Sequence, residues 1–247
     1  MLNIWKRKPV DICHHSNIGG RPENEDSFTV YKKGKKYLCA VADGLGGHGG
    51  GAKASQTAID IIHKNMNQQE LENPKQFLDW FQECNDEVYK LQSAQCQMKT
   101  TLVVLYINNT YASWAHIGDS RLYHFVNGKI EHQTFDHSVS QMAVFRGEIT
   151  SAEIRGHIDR NKLLRAIGRE QNVKIDISEK ISLKENKHAF LLCTDGFWEY
   201  IYENEMEEAL KEASSAQEWM NNMLVYINDR VKKGNDNNTA VAVMING

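Results

Sequence analysis

Acidic residues border most of the apolar, strand-like runs of this 247-residue sequence. Three runs end in an aspartate and two others follow acidic residues; the positions are Asp43, Asp119, Asp195, Asp236 and the pair Glu25 and Asp26. A carboxylate at the end of a buried strand is costly to desolvate unless it is paired, and several that converge raise one another's pKa. A divalent cation removes both costs, and oxygen ligands suit Mg²⁺ or Mn²⁺ better than zinc. The pattern predicts a divalent-cation site; unrelated Asp-Gly turns and helix caps are the alternative explanation.

A glycine-rich loop follows the first of these runs and precedes a predicted helix. Gly44, Gly46 and Gly49 match the glycine spacing of a dinucleotide-binding loop, which offers backbone N–H groups to an anionic pyrophosphate. Asp43 stands directly before the first glycine and would oppose that anion. In a cation site the same aspartate can bridge two ions, and the Gly44 carbonyl can become a ligand. The loop therefore favours a cation site, and a nucleotide-binding oxidoreductase is the alternative.

Hydrophobic periodicity predicts the elements that position these residues. Helices are expected over Lys53 to Met66, on the apolar face from Phe77 to Leu91, over Glu205 to Ala213, and on the apolar face from Trp219 to Val231. Strands are expected at 27–31, 37–42, 100–107, 111–117, 121–126, 173–181, 188–193 and 239–245. The strands from Thr100 to about Gln133 follow one another without helices, which predicts an antiparallel meander rather than the βαβ alternation of a doubly wound fold.

Composition narrows the class of protein. The net charge is −3 with no basic stripe, so nucleic acid is not an expected partner. The five cysteines form no C-x-x-C pair, which is typical of reduced, mostly buried thiols in a cytoplasmic protein. The N-terminus turns basic before an apolar core can form, unlike a signal peptide, and the run 102–107 is too short to span a bilayer. We expect a soluble cytoplasmic protein with no membrane insertion.

Ten short motifs, in this order along the chain, resemble those of the metal-dependent Ser/Thr protein phosphatases of the 2C (PPM) type in its bacterial stand-alone form. They are RPENEDS (21–27), VADGLGGH (41–48), KTTLV (99–103), GDSR (118–121), DHS (136–138), GEIT (147–150), HIDRN (157–161), LLRAIG (163–168), LCTDGFW (192–198) and DNNT (236–239). Each motif alone is weak, but the ordered set is specific. Lys99 and Ile158 depart from the residues frequent at their positions, and neither is an implied ligand.

The resemblance implies an α+β fold, a four-layer αββα sandwich of two antiparallel sheets flanked by helices. It implies one catalytic domain over residues 1–247, with a flap at about 138–161 beside the active site.

The resemblance also implies a set of metal ligands for two Mn²⁺ or Mg²⁺ ions. Asp43 would bridge both ions, Asp195 and Asp236 would complete the first site, and Glu25 with the Gly44 carbonyl would serve the second. Asp119 with Asp195 would hold a third, weaker ion. Asp26 and Asn237 would support the ligands from behind.

The implied reaction is hydrolysis of phosphoserine or phosphothreonine by a water that the ions activate. Arg21 would clamp the phosphate with its planar guanidinium, and His48 would protonate the leaving oxygen. The alternatives are that Arg21 pairs with Glu23 or Glu25 at the surface, and that His48 is merely exposed. No cysteine is followed by an arginine at the spacing of a tyrosine-phosphatase loop, so activated water is preferred over a covalent intermediate.

The resemblance implies phosphorylated proteins as substrates. Bacterial stand-alone members often oppose a eukaryotic-like Ser/Thr kinase, some of them within type VI secretion systems, and a monomer is expected. The alternative from another class is a non-catalytic pseudophosphatase that binds a phosphoprotein, although no implied ligand is missing from the sequence.

Overall fold

The computed structural model describes residues 10–46, 50–68 and 71–245. Its strands are β1 (Val10–Asn17), β2 (Asp26–Lys33), β3 (Lys36–Leu45), β4 (Lys99–Thr100), β5 (Leu102–Ile107), β6 (Tyr111–Ile117), β7 (Arg121–Val126), β8 (Lys129–Gln133), β9 (Asp176–Ile177), β10 (Ile181–Ser182), β11 (His188–Cys193) and β12 (Asn238–Ile245). Its helices are α1 (Gly50–Gln68), α2 (Gln76–Leu91), α3 (Val139–Phe145), α4 (Asp195–Trp198), α5 (Glu203–Glu212) and α6 (Ala216–Arg230), with a 3₁₀ helix at Ser151–Gly156.

The strands form two antiparallel sheets. The five-stranded sheet has the order β1-β12-β11-β7-β8. The seven-stranded sheet has the order β10-β6-β5-β3-β2, with β4 paired to β3 and β9 paired to β6. Strands β5, β11 and β12 are buried along their whole length, because other layers cover both of their faces, and they accordingly carry continuous apolar runs.

Three apolar layers hold these elements together. Val41, Leu105 and Phe190 belong to the layer between the two sheets. Helices α1 and α2 pack on the outer face of the seven-stranded sheet, and α4, α5 and α6 pack on the outer face of the five-stranded sheet. The predicted four-layer αββα sandwich is confirmed. No helix in the described part of the chain is long and apolar enough to cross a membrane.

The predicted meander is wrong in one respect. It is two hairpins in different sheets, because β5 pairs with β6 in the seven-stranded sheet and β7 pairs with β8 in the five-stranded sheet. The chain crosses between the sheets at 118–120. The crossing puts Asp119 at the seam between the two sheets, which a hairpin within one sheet would not do.

The predicted strand at 173–181 is also wrong. Only the two-residue strands β9 and β10 form there, both against β6. Between them the Ser178 hydroxyl accepts the backbone N–H of Trp114 at 2.8 Å. The Ser178 N–H still donates to the Trp114 carbonyl at 2.8 Å, so the hydroxyl replaces only the Ser178 carbonyl as the acceptor, and the regular ladder ends here. Helix α1 begins at Gly50, three residues before the predicted start.

A buried ion pair lies beside the crossing segment. Arg121 donates from Nε and Nη2 to the two carboxylate oxygens of Asp136, both at 2.8 Å, and the two side chains are only 2% and 1% exposed. The guanidinium also donates to the Tyr123 hydroxyl at 3.0 Å. Such a bidentate pair satisfies both charges, and loss of one partner leaves the other charge buried and unpaired.

We therefore expect Asp136→Asn to lower the free energy of unfolding by about 3 kcal/mol or more, measured by urea unfolding with chelator present. The matched control is Lys90→Gln, which removes the exposed pair with Glu87 and should leave the midpoint unchanged because exposed pairs contribute little. Equal midpoints for the two variants would contradict the importance of the buried pair.

Candidate metal centre

The predicted acidic residues converge on one cleft at an edge of the sandwich. The cleft has a volume of about 200 Å³. Its lining comprises Arg21, Glu25, Asp43, Gly44, Leu45, Gly46, Asp119, Asn161, Leu163, Asp195, Asp236 and Asn237. The structure thus brings together every predicted ligand, and Asp26 lies buried behind them. His48 lies outside the described residues.

Asp43 is held through its main chain. It lies near the end of β3, directly opposite Asp26 in the register of β2 and β3. Its N–H donates to the Thr101 hydroxyl, and its carbonyl accepts the Thr101 N–H, both at 2.9 Å. The same threonine hydroxyl hydrogen-bonds the Ser120 hydroxyl at 2.7 Å. Thr101 therefore ties the segment of Asp43 to the crossing segment that carries Asp119.

Asp195 and Asp236 are brought together by a close backbone contact. A Cβ atom on Gly196 would lie 2.0 Å from the carbonyl oxygen of Asn237, so only glycine allows the start of α4 to approach the start of β12 this closely. Thr194 adds a bridge, since its hydroxyl donates to the Asp26 carboxylate at 2.9 Å and accepts the Thr239 N–H at 3.0 Å.

Asn237 fastens the loop that carries Arg21 and Glu25. Its amide oxygen accepts the N–H of Glu25 at 2.8 Å. Its amide nitrogen donates to the carbonyls of Ile18 and Glu23 at 2.7 and 3.0 Å. This side chain therefore fixes the loop against the strand that begins after Asp236.

Glu25 and Gly44 are also joined at the main chain. The N–H of Gly44 donates to the Glu25 carbonyl at 3.1 Å. The Glu25 carboxylate accepts a backbone hydrogen bond from Gly51, in the first turn of α1, where the free N–H groups of a helix favour an anion. A Cβ atom on Gly44 would lie 2.1 Å from the Gly51 carbonyl oxygen, so the loop and the helix meet here without room for a side chain.

Burial and mutual repulsion dominate the electrostatics of the cleft. Desolvation, with repulsion among the aspartates, holds the pKa of Asp43 and of Asp195 well above the ordinary range. Burial raises the pKa of Asp26 and of Asp119 to about 7, and burial followed by the charge of Glu23 raises the pKa of Glu25. Without a cation these carboxylates hold protons that an exposed aspartate would lose.

Arg21 is the guanidinium that lines the cleft. Its Nη2 lies 2.6 Å from an Asp236 carboxylate oxygen, and the side chain is 51% exposed. The structure therefore pairs Arg21 with Asp236, rather than with Glu23 or Glu25 as in the alternative raised by the sequence. An exposed pair of this kind contributes little to stability, so the arginine can exchange Asp236 for another anion at low cost.

Sequence reasoning missed the neutral residues that hold the acids. Thr101 and Thr194 stand within quoted motifs but had no assigned role, and neither did Asn161 or Leu163, which line the cleft. The one signal available was that Thr194 directly precedes Asp195, whereas Thr101 has no acidic neighbour in the sequence. Hydroxyls hydrogen-bond to backbone groups in many contexts, and their partners here come from strands distant in sequence.

His116, His137 and Asp176 form a second group with ligand-type atoms within 4.8 Å of one another. The side chains of this group are instead engaged in hydrogen bonds within the protein. His116 Nε2 bonds to the Phe135 carbonyl at 2.9 Å, and His137 Nδ1 accepts the N–H of Gly118 at 3.2 Å. Arg165 lies 3.3 Å from His137 Nε2 and 3.2 Å from the Asp176 carboxylate. The guanidinium already supplies the positive charge, so the acidic cleft is the better cation site.

Comparison with known proteins agrees with this geometry. The family model described as Protein phosphatase 2C matches residues 15–234. The serine/threonine phosphatase stp of Listeria innocua is 32% identical over 233 residues, which cover 91% of this chain and 90% of that protein.

Solved structures share the fold. The crystal structure of the serine/threonine phosphatase Stp1 from Staphylococcus aureus superposes with a TM-score of 0.87 at 25% identity, covering 98% of this chain and 97% of that one. The catalytic domain of the serine/threonine protein phosphatase PstP, in complex with 2 manganese ions, superposes with a TM-score of 0.78 at 26% identity, covering 96% and 99%. This chain therefore belongs to the protein phosphatase 2C family and is a serine/threonine phosphoprotein phosphatase.

Proposed function

We propose that the acidic cleft binds two Mn²⁺ or Mg²⁺ ions and hydrolyses phosphoserine and phosphothreonine in proteins. One observation carries the proposal: among the described residues, Asp195 Oδ1 is buried without a hydrogen-bond partner. A buried carboxylate oxygen without a partner is strongly unfavourable, and Asp195 lines the cleft together with further carboxylates. A cation bound there would satisfy this oxygen.

The donor set fits a hard divalent cation. It consists of carboxylates and one carbonyl, the ligands that Mg²⁺ and Mn²⁺ prefer. Asp43 would be shared between two ions, Asp195 and Asp236 would complete one site, and Glu25 with the Gly44 carbonyl would complete the other. Asp119 and Asp195 would hold a third, weaker ion. The manganese ions in the PstP catalytic domain support the choice of metal.

When bound, the ions supply an activated water and stabilise the charge that develops on the phosphate. Asp26 and Asn237 would act from behind the ligands. Asp26 is held by Thr194 and paired in register with Asp43, and Asn237 holds the backbone of Glu25. These contacts would keep the ligands in place as the charge in the cleft changes.

Arg21 would bind the phosphate. A cation at Asp236 would compete with the guanidinium for that carboxylate, because both are held by the same negative charge. The released guanidinium is exposed at the cleft and can donate two parallel hydrogen bonds to phosphate oxygens. His48 as the general acid stays a prediction from the sequence.

The wider role is also a proposal. We propose that residues 1–247 form one catalytic domain with a flap at about 138–161, and that the enzyme is a cytoplasmic monomer. Its substrates would be a eukaryotic-like Ser/Thr kinase and the targets of that kinase, with type VI secretion as one setting. Quantitative phosphoproteomics of a deletion strain, complemented with the wild type or with Asp195→Asn, tests this role. Phosphosites that rise equally with both complementing alleles would not be substrates.

Asp195→Asn and Asp236→Asn should each lower kcat/KM by at least about 1,000-fold, equivalent to about 4 kcal/mol of transition-state stabilisation. The measurement is Mn²⁺-dependent hydrolysis of para-nitrophenyl phosphate and of a phosphothreonine peptide. Asp79→Asn, on the exposed part of α2, is the matched control and should keep full activity. Full turnover in both cleft variants would show that the metal centre is assigned to the wrong residues.

The free energy of unfolding of the chelator-treated protein should depend on pH through Asp119. Its pKa rises from an ordinary 3.8 to about 7 on folding, so between these values the folded state binds more protons and this group's contribution to stability is lost as pH rises. Metal-free Asp119→Asn should therefore gain stability relative to wild type by at least about 1 kcal/mol between pH 4 and pH 7.

The measurement is urea unfolding of both proteins across that range. Comparing wild type with the variant removes the contribution of the buried histidines His116, His124 and His137, whose lowered pKa values act with the opposite sign. A difference between the two proteins that does not change with pH would contradict the raised pKa. Saturating Mn²⁺ should reverse the trend, because the ion competes with protons for the carboxylates.

A further inference from the structure

Trp198 joins the two segments that carry Asp119 and Asp195. It lies three residues after Asp195 in α4 and is 2% exposed. Its indole N–H donates to the main-chain carbonyl of Asp119 at 3.0 Å, in a buried environment. Helix α4 follows a strand of the five-stranded sheet, whereas Asp119 follows β6 of the seven-stranded sheet. This hydrogen bond therefore crosses the seam between the sheets at the edge where the acids converge.

The indole ring is held from several directions. The Arg121 guanidinium lies over the ring, with its central carbon 3.5 Å from the ring centroid, and Arg121 is itself fixed by both carboxylate oxygens of Asp136. The main-chain carbonyl of Trp198 accepts from Arg155 Nε at 3.2 Å. A cation over a tryptophan face is attracted by the ring quadrupole. The ring thus has little freedom to tilt, and the position of its N–H is set.

We infer that Trp198 is a positioning residue for the cation held between Asp119 and Asp195, an inference that rests on the proposed function. The indole N–H fixes the carbonyl of Asp119, and a fixed main chain restricts the directions in which the carboxylate can point. Because the same residue is part of α4, it sets that carboxylate relative to Asp195. Removal of the N–H leaves a buried carbonyl without this donor, and the segment shifts to find another.

The competing explanation is that Trp198 only fills the core. Trp219 provides the matched control, because it is also fully buried in the same apolar layer. Its indole N–H donates to the main-chain carbonyl of Met206 at 3.2 Å. Neither Trp219 nor Met206 lines the cleft. A purely structural role predicts the same consequences for loss of either indole N–H.

The test is a Mn²⁺ titration of the chelator-treated protein, with free Mn²⁺ followed by its electron paramagnetic resonance signal. Wild type, Trp198→Phe, Trp219→Phe and Asp119→Asn are compared. Asp119→Asn should abolish binding of the weakest ion, and Trp198→Phe should weaken that ion three- to tenfold, about the effect of one hydrogen bond. The tighter ions should stay within twofold, and Trp219→Phe should match wild type throughout.

Two outcomes would overturn the inference: a Trp198→Phe isotherm that superimposes on that of Trp219→Phe, or a wild-type isotherm that Asp119→Asn leaves unchanged. Wild-type protein that neither binds Mn²⁺ nor hydrolyses para-nitrophenyl phosphate would instead overturn the proposed function, and the inference with it. If circular dichroism shows that Trp198→Phe does not fold, β-(3-benzothienyl)alanine at position 198 keeps the shape of the ring without the N–H, and its isotherm decides by the same criteria.

Discussion

The central constraint on this structure is that it holds several carboxylates, which repel one another, close together. Asp119 is buried and Asp43 and Asp195 are partly buried at one cleft, and desolvation with repulsion between carboxylates raises the pKa of all three. The scaffold holds these residues together against that repulsion. It does so mainly through hydrogen bonds to their main chains. Thr101 hydrogen-bonds the N–H and the carbonyl of Asp43, and the Trp198 indole donates to the carbonyl of Asp119. Both residues line the cleft, and under the proposed function a cation would bind their carboxylates.

The positive charges near the cleft divide into two kinds. Arg121 is buried and forms a bidentate pair with Asp136, so it stabilises the fold, and breaking the pair would leave a buried charge unpaired. Arg21 is half exposed and holds only one oxygen of Asp236. An exposed guanidinium gives up such a partner at low cost. The buried Arg121 therefore stabilises the fold, whereas the exposed Arg21 can bind phosphate as the proposed function requires.

The acidic strand ends and most strands could be predicted from the sequence because apolar periodicity is a local signal, and the four-layer architecture followed from the resemblance of the ordered motifs to those of the 2C-type phosphatases. It could not reveal that the chain changes sheets at 118–120, since β5 to β8 have the pattern of a single meander and only packing decides which sheet each hairpin joins. The failed strand at 173–181 has a similar cause: Ser178 bonds to Trp114 across the sheet, and no local pattern predicts that partner. Thr101 and Trp198 were missed because their partners are main-chain atoms of distant segments.

The position of the cleft explains why its residues are spread along the whole chain. Asp43 belongs to β3 of the seven-stranded sheet and Glu25 directly precedes β2 of the same sheet. Asp195 and Asp236 border strands of the five-stranded sheet, and Asp119 lies where the chain passes between the two sheets. The spacing of the proposed ligands is therefore set by how the two sheets pack, through the apolar layer that contains Val41, Phe190 and Val241. Close-packed interiors deform little, so this layer fixes the distances between the acidic residues of the proposed metal centre. A single motif outside this fold would contain only one or two of the acidic residues. Without the packing of the two sheets, the distances that a cation site needs would not be set.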